Sequence, residues 1–111
     1  MAKMKKIRFL LEYNCLPIWI YGENGEPYGP DIPDELKNDK EFVSMINMIQ
    51  EEYDGLFENN NMRFEFNGFA SEYHKNRFLE NVARAIDMAE TKVGNLYQIQ
   101  NDINPAIQLI R

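Results

Sequence analysis

A two-layer α+β fold, with a small antiparallel sheet of three to five strands and two main helices packed on one face, is what this sequence predicts. Three observations predict it. Apolar residues alternate over residues 5–13 and 62–66, the period of a half-buried strand. They recur at helical spacing over residues 42–53 and 79–93. Turn residues punctuate the chain between these segments and set the order β-β-α-β-α. With 111 residues, the chain forms a single domain, residues 1–111, large enough for one core.

In the first strand, Ile7, Phe9, Leu11 and Tyr13 share one face, and Lys6, Arg8, Leu10 and Glu12 share the other. Asn14 and Cys15 form a short connection. Residues 17–21 read Pro-Ile-Trp-Ile-Tyr, and proline suits the first position of a second, antiparallel strand. Trp19 is the only tryptophan; core packing is its expected role, the alternative being an interface anchor beside an acidic rim. The Asn24-Gly25 pair tolerates positive φ at both central positions of a tight turn, so the chain reverses there. Residues 26–28 are read as a brief third strand across that turn. Pro27, Gly29, Pro30 and Pro33 then keep the chain irregular.

The first helix starts near Asn38 or Asp39, with Asn38 and Glu41 spaced as a capping box. Phe42, Ile46, Ile49 and Tyr53 form its apolar face, and Gly55 sits where a left-handed cap would end it. Glu51, Glu52 and Asp54 crowd its last turn, where the helix macrodipole disfavours anions. Asn59, Asn60 and Asn61 are read as a loop, followed by a strand over residues 62–66 with Met62, Phe64 and Phe66 inward. Ser71 caps the second helix, whose stripe is Leu79, Val82, Ile86, Ala89 and Val93, widened by Phe78 and Ala85. Gly94 closes it. Residues 96–100 have strand character, and Asn104-Pro105 opens a final short helix.

Net charge is −6, and it is unevenly distributed. Residues 1–20 carry four cations and one acid, whereas residues 21–60 carry eleven acids against Lys37 and Lys40, and the remainder balances. Such a surface repels phosphate backbones, so no direct nucleic-acid binding is expected. The lone Cys15 allows no internal disulfide and favours a reducing, cytoplasmic setting. Arg8, Glu12 and Asn14 interrupt the first apolar run, so neither a signal peptide nor a membrane segment is expected.

Little in the chain promises catalysis. One histidine, His74, and one cysteine leave no metal site of the usual kinds. A Cys15–His74 nucleophilic pair has no surrounding signature, and a packed thiol is the simpler reading. The glycines at 22, 25 and 29 alternate with acids and prolines, which is unlike a phosphate-binding loop. Acids at 23, 26, 31, 34 and 35 do not follow calcium-loop spacing. No catalytic residue, cofactor or metal ligand is therefore assigned.

The segments Pro17-Ile18-Trp19-Ile20-Tyr21, Glu23-Asn24-Gly25-Glu26 and Asp31-Ile32-Pro33-Asp34-Glu35-Leu36 resemble small bacterial immunity proteins. These are the cognate inhibitors of polymorphic or contact-dependent growth-inhibition toxins. The resemblance extends through residues 49–57, about the first half of the chain. It implies a cytoplasmic, non-enzymatic antitoxin that binds and neutralises a toxin domain, a nuclease being one such target. An acidic surface would then meet a cationic groove. Its expected residues are Tyr21, Glu23, Glu26, Tyr28, Asp31, Asp34, Glu51, Glu52, Tyr53, Asp54 and Glu58. The alternatives are a regulatory or adaptor module that binds a cellular protein and, more remotely, a small enzyme with a carboxylate base.

Overall fold

The structure, a computed structural model, describes residues 4–59, 64–66 and 68–104, with the backbone alone at 58–59 and 64–66. It has the expected two layers: a four-stranded sheet, and two helices packed on one of its faces. The strands are β1 (Lys5–Phe9), β2 (Ile18–Tyr21), β3 (Pro27–Pro30) and, after both helices, β6 (Tyr97–Asn101). Between them lie α1 (Lys40–Asp54), the short strands β4 (Phe57–Asn59) and β5 (Phe64–Phe66), and α2 (Glu72–Val93).

Sheet order is β3-β2-β1-β6. β1 and β2 form the expected antiparallel hairpin, with Ile7 opposite Ile20 and Arg8 opposite Trp19. β3 adds antiparallel to β2. β6 lies parallel to β1, with Ile7 beside Ile99 and Arg8 beside Gln100, which makes the sheet mixed. A parallel neighbour requires a long crossover, and both helices supply it.

Besides the parallel β6, and Asn59, which ends strand β4 where a loop is expected, the chain departs from sequence expectation in five places. β1 ends at Phe9, not near Tyr13, because the chain turns through Asn14 at φ +62°. The Asn24-Gly25 turn takes positive φ only at Gly25 (+86°). Gly25 N–H bonds to Gly22 O and Gly22 N–H to Glu26 O, so residues 23–25 form a three-residue hairpin loop. The cap of α1 is Asp39, not Asn38, because its carboxylate takes the Phe42 amide at 3.1 Å. Gly55 ends α1 at φ −67°, so its left-handed cap is absent. Strand β5 pairs with β4 in a separate two-stranded ribbon, so it adds nothing to the main sheet. Asn60, Asn61, Met62 and residues 105–111, where a final short helix is expected, lie outside the described residues.

The core joins Ile7, Phe9 and Ile18 of the sheet to Phe42, Ile46 and Ile49 of α1 and to Phe78, Val82, Ala85, Ala89 and Val93 of α2. Each large apolar side chain in it contributes about 1.5–3 kcal/mol by leaving water. Ser71 caps α2 as expected, accepting the His74 amide at 3.1 Å. Asp39 at the start of α1 meets Lys92 at the end of α2, so the helices run antiparallel.

Candidate protein-binding surfaces

The period of two along β1, β2 and β6 sends one set of side chains into the core and the other onto the opposite face. On that outer face Gln98, Lys6 and Tyr21 align across three strands, and Gln100, Arg8 and Trp19 form the next row. Neither helix covers it. Trp19 is therefore not the core residue expected from the sequence: it is half-buried and outside the core cluster. Its indole Nε1–H is shielded from solvent and has no hydrogen-bond partner among the described residues.

A network fixes the cations of this face. Asp102 accepts from Arg8 Nε and, at 2.7 Å, from Gln100 Nε2. Gln100 Oε1 accepts from Lys6 Nζ at 3.0 Å, and Arg8 Nη1 lies 3.4 Å from the Tyr21 hydroxyl. The bond from Arg8 pulls the Asp102 carboxyl below its ordinary value, against a smaller opposing effect of burial. Lys6, Arg8, Tyr21, Gln98 and Gln100 line a cleft of about 390 Å³, with Glu23 and the hairpin glycines Gly22 and Gly25 on its wall.

Ten of the eleven residues expected at a partner surface fall in three places. Tyr21, Glu23, Glu26 and Tyr28 gather at the β2–β3 hairpin. Glu26 serves the turn itself, accepting the Asn24 amide at 3.1 Å and the Tyr28 hydroxyl at 3.2 Å. That hydrogen bond raises the Tyr28 phenol above its usual range. Glu23 remains exposed on the hairpin, without an ion pair among the described residues.

Asp31 precedes the short 3-10 turn Asp34–Leu36 and Asp34 opens it; they share Lys37, whose Nζ lies 3.6 and 3.0 Å from their carboxylates. Much of their charge is thus answered within the chain.

Glu51, Glu52, Tyr53 and Asp54 occupy the last turn of α1, which contains no basic residue. Asp54 Oδ1 accepts the Asn14 amide at 2.9 Å, so the β1–β2 connection is tied to this helix end. Phe57 packs edge-on against both Tyr13 and Tyr53, at centroid distances of 5.0 and 5.2 Å. Burial, then the nearby charges of Glu12 and Asp54, push the Tyr53 phenol up. The side chain of Glu58 lies outside the described residues.

These groups do not form one surface. Asn14 lies at the end of the β1–β2 pair remote from the β2–β3 turn, so the acidic helix end and the acidic hairpin sit at opposite ends of the sheet. Sequence reasoning passed over Lys6, Arg8, Gln98 and Gln100 as a group. The alternation in β1 pointed to the first two, but only the parallel pairing of β6 shows that the glutamines join them.

Cys15 is a half-buried free thiol with no hydrogen bond to His74, which is exposed and lies edge-on to Phe69. Among the described residues no group of three His, Cys, Asp or Glu could hold a metal ion, and no helix is long and apolar enough to cross a membrane. No protein-family model matches the sequence, and no curated protein matches it.

Proposed function

We propose that this chain is a cytoplasmic, non-catalytic immunity protein that binds a cognate toxin domain and masks its cationic surface. One observation carries the reading. The last turn of α1 presents Glu51, Glu52 and Asp54 where the helix's own negative end opposes them, with no lysine or arginine in that turn. This arrangement costs local stability, and a basic partner would offset that cost on binding. The aromatic group of Tyr13, Tyr53 and Phe57 supports the same site, because rigid aromatics beside a charged rim are how interfaces concentrate binding energy. Complementary charge would also speed encounter, toward roughly 10⁸–10⁹ M⁻¹s⁻¹ at low salt. A nuclease with a basic substrate groove fits such a surface. Glu23 at the hairpin is a separate point of contact for the same partner.

The test is co-expression with a toxin domain encoded next to the gene for this chain; the absence of any such neighbour would favour the adaptor reading. The chain should restore growth and co-purify with the toxin domain. The Glu51→Lys, Glu52→Lys, Asp54→Lys triple variant should fold but associate at least tenfold more slowly, with a flatter salt dependence. Equal association rates for the two chains would reject the acidic helix end as the contact.

A further inference from the structure

The two edges of the main sheet are finished differently. At β3, Pro27 and Pro30 lack the N–H that a further strand would need, and the register behind them is broken between Ile20 and Tyr21. At the other edge, β6 reads Tyr97-Gln98-Ile99-Gln100-Asn101, with no proline and no charge. The Asp102 N–H bonds to Phe9 O, and a parallel ladder uses alternate residues of a strand, so Gln98 and Gln100 spend their backbone groups on β1. Those of Tyr97 and Ile99 point away from the sheet, and no turn or loop bond among the described residues reaches them. An open cleft of about 670 Å³ borders the same strand, between Tyr97 and Ile99 on one side and Glu90 and Gly94 of the α2 end on the other.

We propose that β6 pairs antiparallel with β6 of a second copy of this chain, joining the two sheets into one. The strand is chemically symmetric about Ile99, as a two-fold axis requires. Across that axis Ile99 faces its own counterpart and exchanges both backbone bonds with it, Gln98 faces Gln100, and Tyr97 faces Asn101. Gln98 is exposed, and Gln100 keeps an amide hydrogen and a lone pair after serving Asp102 and Lys6, so the facing amides can bond to each other. Ile99, half-buried at the border of the core, is covered by the isoleucine of the second copy. The lack of charge selects this occupant: a charged segment gains nothing from β6, whereas a neutral strand meets no like charge across the pair. Glu90 at the cleft and a net charge of −6 on each copy oppose association, so the dimer should tighten as salt screens them. β6 shares no residue with the toxin-masking surface, and the two readings therefore fail separately.

The experiment is sedimentation equilibrium of the full chain, from micromolar to millimolar concentration in low and physiological salt, paired with amide hydrogen exchange. A reversible monomer–dimer equilibrium with Kd on the order of 10⁻⁴ M is expected, about threefold or more tighter in the higher salt. The Tyr97 and Ile99 amides should exchange fast in the dilute monomer and slow down as the dimer fills. Ile99→Pro, which removes an outward N–H without touching the bonds to β1, should abolish the dimer. Gln98→Lys, on the exposed outer face, should weaken it by about fivefold or more with an unchanged melting temperature. A monomer at every concentration, or a dimer that neither variant weakens, would overturn the proposal. So would Tyr97 and Ile99 amides already protected in the monomer, because the chain would then cover its own edge. Protection that arises only on adding the toxin domain would assign the edge to that partner and overturn it equally.

Discussion

Asp39 and Lys92 join the start of α1 to the end of α2 through a single carboxylate. Asp39 Oδ1 takes the Phe42 amide at 3.1 Å, and Oδ2 takes the Lys92 ammonium. One side chain therefore caps a helix and clasps its antiparallel neighbour. Lys92 also suits its own position, since a cation in the last turn of α2 complements the negative end of that helix.

Replacing Asp39 tests both roles. Asp39→Ala should lower Tm by several degrees, whereas Asp39→Asn, which still caps, should lose less. The bond to Lys92, and secondarily that to the Phe42 amide, depresses the Asp39 carboxyl. Its contribution is therefore present above the ordinary aspartate value and is lost as pH falls through the depressed one. Thermal melts between pH 7 and pH 2 should show a shallower acid-side decline in Asp39→Asn than in the parent chain.

Trp19 and Phe9 separate the two faces of the sheet. Phe9 is completely buried, and Phe9→Ala should cost about 3–5 kcal/mol in urea denaturation. Trp19→Phe should cost under about 1 kcal/mol, because the change removes an indole N–H that lacks an acceptor among the described residues. A loss of 3 kcal/mol or more in Trp19→Phe would place the indole in the core after all.

Tyr97 gives the protein an alkaline limit. Burial raises its phenol to about 12, helped by the 2.8 Å hydrogen bond to Glu35. A group held above its unfolded value stabilises the fold below that value, and this contribution fades as pH rises from about 10 to about 12. Tyr97→Phe should be less stable at pH 7 by about 1 kcal/mol, from the lost hydrogen bond. It should also decline less steeply than the parent between pH 10 and 12, measured as urea midpoints across that range.

The end of α1 should trade stability for binding. Glu51→Gln and Glu52→Gln each remove an anion from the wrong end of the helix dipole and should add about 0.3–1 kcal/mol to stability. Association with the toxin domain should slow in the same variants. Stabilisation with no change in association would leave the acids without the proposed role.

Periodicity by itself determined the core stripes. Phe42, Ile46 and Ile49 on α1, and Phe78, Val82, Ala85, Ala89 and Val93 on α2, are buried as their spacing requires, whereas Tyr53, Leu79 and Ile86 of the expected stripes border the core only half-buried. The β1–β2 hairpin, the third strand beyond Gly25 and the Ser71 cap were equally local, since each depends on residues a few positions apart. Tertiary structure alone decided which strand lies beside β1, because the parallel partner arrives from more than ninety residues away. The same long-range pairing set Gln100 and Asp102 beside Lys6 and Arg8, and the packing of both helices on the opposite face left Trp19 on the outer one. Charge counted along a chain carries no direction in space. Only the strand register and the crossing of the helices supply one.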